Sequence, residues 1–223
     1  MQVRRMNPER KHVILYVHGM GGGGDSRIPS ILKDILPEGF EVVIRTYDFD
    51  PLVARGQIRS WAEESRPDLV IGESMGATHA IALKGYPHIL VSPSLNAPRY
   101  FRIMAALVRI PCVRSFFNDH YHPREGDRQP LDFERKKLLR WKPVVEEAKD
   151  NTPRRGSRDF FHAYFGRRDK FRRSGVVLVR TWRKWFGEGT WTVYDGSHFM
   201  EEEYIRDLLV PKILEVTGQG RGQ

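Results

Sequence analysis

The tightest constraint on this chain lies in "VIGESMGATHAIAL", Val70 to Leu83, where a short apolar run stops at Gly72-Glu73-Ser74-Met75-Gly76 and passes at once into a helical pattern. An apolar β-like run, a two-glycine turn and a helix in direct succession make a βα unit, and the flanking sequence repeats it. "HVILYV", residues 12–17, is followed by a glycine-rich loop. Ile28, Ile31, Leu32, Ile35 and Leu36 then recur at helical spacing, after a cap at Asp25 or Ser26 and with Pro29 in the first turn. Strands are read over 41–49, 68–73 and 88–93, with helices over 52–65 and from Ser74 to near Gly85. After a break, the spacing gives a strand over 159–166, a helix over 174–187, a strand over 190–195 and a last helix from Glu201, kinked at Pro211. Such alternation predicts an α/β protein: a three-layer α/β/α sandwich around a mostly parallel sheet of about six strands.

The break covers residues 97–158, a stretch with no strong strand that includes the amphipathic "DFERKKLLRWKPVVEEA". It is read as a helical lid or cap insertion within a single domain spanning 1–223, a length that supports one large core. Charge is regional. Arg99 to Lys184 carries 23 Lys and Arg against 10 Asp and Glu, so the remainder of this +9 chain is net negative. A solvated face on the insertion is the plainer reading; an anionic substrate or acidic partner is the other, and nucleic acid is the less favoured partner. Cys112 is the single cysteine, which rules out an intrachain disulfide and fits a reducing compartment. The apolar run Val13 to Val17 is too short for a signal core or a membrane span. The expectation is a soluble, cytoplasmic protein of open oligomeric state.

Parallel strands joined by helical crossovers bring their C-terminal ends to one edge, where open α/β sheets hold ligands. Ser74 follows the third strand, Asp169 the strand over 159–166, and His198 the strand over 190–195. Three groups distant in sequence are thereby delivered to one rim. A nucleophile on a strand-to-helix turn needs a strained backbone and small neighbours two positions either way, which accounts for Gly72 and Gly76. The following helix also aims N–H groups at an oxyanion.

On these residues the sequence resembles the α/β-hydrolase superfamily over nearly its whole length. "ILYVHGMGG" is similar to the first strand and oxyanion loop, "GESMGA" to the nucleophile elbow, "YFGRRD" to the acid loop and "DGSHFM" to the histidine loop. Among members it looks most like small bacterial esterases of the YqiA type, with "VSPSLNAP" similar to their turn after the fourth strand; the basic insertion departs from the shortest of them. The resemblance implies a serine hydrolase acting on carboxylic esters or thioesters with no cofactor and no metal. Ser74 would attack the acyl carbon, His198 would relay the proton and Asp169 would orient the imidazole, with the backbone N–H groups of Met20 and Met75 meeting the oxyanion. Asp195 is the alternative acid, while Asp159 belongs at the far edge of the sheet.

Rival readings compete for the same residues. Gly19-x-Gly21-x-x-Gly24 follows a strand, precedes a helix and is trailed by Asp48, as in a dinucleotide site, but a run of four glycines matches many templates and leaves Ser74 and His198 without purpose. A phosphate-cradling P-loop is poorer, because no Lys-Ser or Lys-Thr follows. Asp119, His120 and His122 invite a metal, yet no second ligand pair has matching spacing. His79 and His162 read as interior or packing residues; Glu73 and Ser92 read as pocket-shaping or ordinary rim residues. Tyr100, Phe101, Met104, Phe116, Phe117 and Trp141 fit either an acyl pocket or the insertion's own core. A catalytically inactive basic binding module on a hydrolase scaffold is the non-enzymatic alternative.

Overall fold

The computed structural model describes residues 10–121 and 125–218. Six parallel strands form one sheet in the order β2-β1-β3-β4-β5-β6. They are β1 (His12–Val17), β2 (Phe40–Ile44), β3 (Leu69–Glu73), β4 (His88–Val91), β5 (Phe161–Gly166) and β6 (Trp191–Tyr194). The first crossovers are α1 (Arg27–Ile35), α2 (Pro51–Ser65) and α3 (Gly76–Ile81). Between β4 and β5 lie α4 (Ala97–Leu107), α5 (Pro111–His120), α6 (Arg135–Leu139), α7 (Trp141–Asp150) and a 3-10 turn (Pro153–Arg155). Then come α8 (Lys170–Arg173), α9 (Val179–Phe186), α10 (Glu202–Tyr204), a π-helical turn (Ile205–Leu209) and α11 (Val210–Val216).

The period-2 side-chain alternation of each strand divides the core between two faces. Leu15, Val17, Val70 and Leu90 pack with α2, α3 and α9, under Trp182 and Phe186. Ile14, Tyr16, Ile71 and Ile89 pack with α1 and the C-terminal helices, under Leu32, Leu209 and Ile213. Central strands that bury both faces read as unbroken apolar runs, hence the legibility of β1 and β3. A third core, around Phe101, Phe133, Trp141 and Val144, belongs to the insertion and reaches Phe49 and Met75.

Several boundaries differ from expectation for identifiable reasons. The second strand ends at Ile44, whose pair Tyr16 is one residue short of the end of β1, so little of its neighbour is left to pair with the segment beyond. Of the helix expected over 174–187, the part from Val179 to Phe186 is helical, as α9, and residues 174–178 are not. Gly175 takes φ +79, and the amides of Val176 and Val177 bond back to the Phe171 carbonyl at 3.1 and 3.2 Å, so the chain turns there before α9 begins. The expected kink at Pro211 takes the form of the π-helical turn just before it, which absorbs the proline's missing N–H.

Candidate active site

Ser74 sits immediately past β3 with φ +50, a left-handed conformation that is strained for a side chain with a Cβ. The strain is held by packing. A Cβ on Gly76 would lie 2.2 Å from the His18 carbonyl oxygen, and one on Gly72 would lie 2.7 Å from Ala80 Cβ, so both positions require glycine for α3 to lie this close to β1 and β3. The Ser74 amide bonds the Val91 carbonyl at 2.9 Å, and its carbonyl accepts from Ser94 at 3.0 Å. The hydroxyl thus points out of the sheet at its C-terminal rim.

The loops after β5 and β6 are laced together beside it. The amides of Arg167 and Arg168 bond the carbonyls of Tyr194 and Gly196 at 2.8 and 2.9 Å. Asp169 Oδ1 accepts the Phe171 amide at 2.7 Å, capping α8, and Oδ2 lies 2.8 Å from His198 Nδ1. A buried carboxylate is an acceptor only, so Nδ1 carries the proton and Nε2 is left as an acceptor. Nε2 lies 2.9 Å from Ser74 Oγ. The His198 and Asp169 side chains are 5% and 0% exposed, and Phe171 packs edge-on against the imidazole at 4.6 Å, so neither ring nor carboxylate is free to turn away. The structure therefore brings Ser74, His198 and Asp169 into one hydrogen-bonded chain.

Asp195 is not part of it. Its side chain is 70% exposed beside Arg168 at 3.8 Å, which removes it as the alternative acid. Asp159 accepts the Gly85 amide at 2.9 Å, at the opposite edge of the sheet. The backbone amides of Met75, which leads into α3, and of Met20, in the loop after β1, donate no hydrogen bond among the described residues. Met20, Met75, Tyr47, Phe49, Gln129 and the insertion residues Phe101 and Trp141 enclose a cleft of only about 10 Å³. Of the insertion side chains singled out in the sequence, Phe101 and Trp141 line this cleft and belong to the insertion's own core, Met104 and Phe117 pack against that core, and Phe116 and Tyr100 are exposed.

The amides of Gly21 to Gly24 are already committed within the fold. Gly21 donates to Gln129 Oε1, Gly22 to the Gly19 carbonyl, Gly23 to Ser26 Oγ and Gly24 to Thr46 Oγ1, all at 3.0–3.1 Å. Asp48 is engaged locally, accepting the Asp50 amide at 2.7 Å. The dinucleotide reading is thereby set aside. His122 lies outside the described residues, and His120 stacks on Phe116. Among the described residues, no group of three His, Cys, Asp or Glu side chains is arranged to hold a metal. No helix there is long and apolar enough to cross a membrane.

Other groups near the rim are clearer in three dimensions than in sequence. Glu73 is buried and accepts the Tyr16 hydroxyl at 2.8 Å; desolvation raises its pKa. His18 is buried flat against Tyr47, and desolvation lowers it to about 4. His79 lies between Tyr47 and Trp141 with neither ring nitrogen hydrogen-bonded, and burial lowers it to about 3. His162 contacts Thr192 Oγ1 at 3.1 Å, away from the rim. Two contributors had no separate reading in the sequence. Ser94 Oγ stands 3.1 Å from Ser74 Oγ; its only signal is its place just after β4, on the same rim. Gln129 stitches the insertion to the glycine loop and to the Tyr47 and Asp48 carbonyls, a contact no local pattern announces.

No protein-family model matches the chain, and no curated protein matches it in sequence. Solved structures match it in fold. Est1E from Butyrivibrio proteoclasticus, with ferulic acid bound, superposes with a TM-score of 0.62 at 13% identity over 95% of this chain and 92% of that one. A thermophilic esterase from Thermogutta terrifontis gives 0.58 at 13% identity over 93% and 91%. A 1H-3-hydroxy-4-oxoquinoline 2,4-dioxygenase gives 0.55 at 14% identity over 94% and 92%. The six-stranded parallel sheet with flanking helices is the fold of the α/β hydrolases. That one fold carries both esterases and a dioxygenase, so the reaction has to be argued from the site.

Proposed function

We propose that this protein is a serine hydrolase that cleaves carboxylic esters or thioesters through an acyl-serine intermediate. The observation that carries the reading is the continuous chain Ser74 Oγ–His198–Asp169 at 2.9 and 2.8 Å. As Ser74 Oγ attacks the acyl carbon, His198 Nε2 takes its proton, and the resulting imidazolium is stabilised by Asp169. The amides of Met20 and Met75, uncommitted among the described residues, serve the developing oxyanion; one such donor is worth about 10²–10³ in turnover. His198 then protonates the leaving alcohol or thiol. Water, deprotonated by the same nitrogen, releases the acid and restores the serine.

The esterases among the fold neighbours support ester chemistry for this site, while the dioxygenase marks how far fold alone reaches. Residues 97–158 act as the lid, a role supported by Phe101, Gln129 and Trp141 lining the cleft beside Met75. A small-molecule ester or thioester is the substrate, and the reading places the protein in the cytoplasm. The test is hydrolysis of p-nitrophenyl esters of increasing acyl length. A burst of nitrophenol approaching one per chain is expected from the parent, with turnover falling about 10⁴–10⁶-fold in Ser74→Ala. Parental turnover by Ser74→Ala would refute the assignment.

A further inference from the structure

A further cavity lies outside the triad. A groove of about 800 Å³ runs between α4, α7, the 3-10 turn and α9. That size falls within the range of small-molecule sites. Its floor is apolar, with Leu138, Val145 and Trp185 along it. Each of these elements puts a cation on the walls, Arg99 and Arg102 from α4, Lys142 from α7, Arg154 from the 3-10 turn and Lys184 from α9, with Glu146 as the acid among the lining residues. None of these five makes an ion pair among the described residues. Two further cations on the walls are already neutralised, Lys149 by Glu146 at 2.7 Å and Arg155 by Asp150 at 2.9 Å. A solvated surface mixes signs. Unpaired cations facing one another across a bounded groove repel, and an anion between them removes the repulsion.

The groove also leads somewhere. Leu95 and Asn96 line it, next in sequence to Ser94, whose hydroxyl touches Ser74. Trp141 is a wall common to the groove and to the small cleft beside Met20 and Met75. We propose that this groove binds a leaving group that carries two or more phosphates on an apolar body, with the phosphates held between α4 and α9 and the ester or thioester carbonyl delivered to Ser74. The delivery step rests on the hydrolase reading; the anion site does not. A nucleic acid strand fits less well. The face of Trp185, which stacking bases would need, is covered by Lys149 at 5.9 Å.

Two measurements test this. Inorganic pyrophosphate titrated calorimetrically into the full-length Ser74→Ala chain is expected to bind one site. Its affinity should fall at least tenfold in the same chain carrying Arg102→Glu and Lys184→Glu, both exposed side chains. Arg206→Glu with Lys212→Glu makes the same charge change on the opposite face of the sheet, and should leave affinity within about twofold. Absent binding, or equal weakening by both pairs, overturns the site. In the second measurement, butyryl thioesters of coenzyme A, which carries phosphates, and of N-acetylcysteamine, which carries none, are compared in the parent chain. A preference of at least tenfold in kcat/KM for the phosphorylated thiol, lost with Arg102→Glu and Lys184→Glu, is expected. Equal kcat/KM for the two thioesters overturns delivery to Ser74. Hydrolysis of neither tells against the hydrolase reading, and the titration then decides the anion site by itself.

Discussion

Alanine at position 76 would place a methyl carbon 2.2 Å from the His18 carbonyl oxygen and 2.4 Å from that of Val17. An ordinary contact needs about 3.5 Å, so α3 must retreat by about 1 Å. Neither oxygen can yield easily. Val17 is the last residue of β1, registered against Gly72, and the His18 carbonyl accepts the Tyr47 hydroxyl. Overpacking against fixed backbone costs about 3 kcal/mol, and for a chain of this length that lowers Tm by about 6–12 °C. Because α3 carries Ser74 and Met75 at its start, a shift of this size also costs about 10² in turnover. The same substitution at Gly56, exposed in the middle of α2 with nothing within 4 Å of the new carbon, should do the reverse and add about 0.5–1 kcal/mol. Thermal melts followed by circular dichroism, with p-nitrophenyl acetate turnover beside them, read both. A Gly76→Ala chain that melts within about 1 °C of the parent would refute the packing argument.

Asp169→Asn should lower kcat about 10⁴-fold, because an amide donor facing Nδ1 leaves Nε2 protonated toward Ser74. Tm should move little, since the new Oδ1 still caps the Phe171 amide; a large drop in Tm would show that the loss was structural. Acid should destabilise the fold through its buried imidazoles. His79 is lowered to about 3 from an ordinary 6.5, so its share of stability is complete above pH 6.5 and is lost as pH falls toward 3. At pH 5 that loss is about 2 kcal/mol, and His18 and His88, each lowered to about 4, act in the same direction. Urea midpoints at pH 7.5 and pH 5 should therefore differ less in His79→Leu than in the parent; an equal difference would contradict the burial argument.

What could be read from sequence follows from how locally each feature is determined. β1, β3 and β4 are buried on both faces, so their composition alone marks them, and the strained turn at Ser74 must announce itself through Gly72 and Gly76. Parallel topology then carries Asp169 and His198 to the same rim without any local cue. The end of β2 was less legible because its length is set by β1, its single neighbour. The stretch 174–187 misled because its apolar residues suit a helix throughout, while burial of Val177 and the bonds from Val176 and Val177 to the Phe171 carbonyl hold the start in a turn. Ser94, Gln129 and the groove between α4 and α9 depend on contacts between segments far apart in the chain, and no window of sequence contains them.

The central claim is that His198 activates Ser74 and that this serine alone is poised to attack. Reaction with a fluorophosphonate, followed by peptide mass spectrometry, tests it most directly. The account predicts one adduct per chain, on Ser74, forming at least 10²-fold more slowly in His198→Ala. An adduct on another residue, or unchanged labelling of Ser74 in His198→Ala, would contradict it.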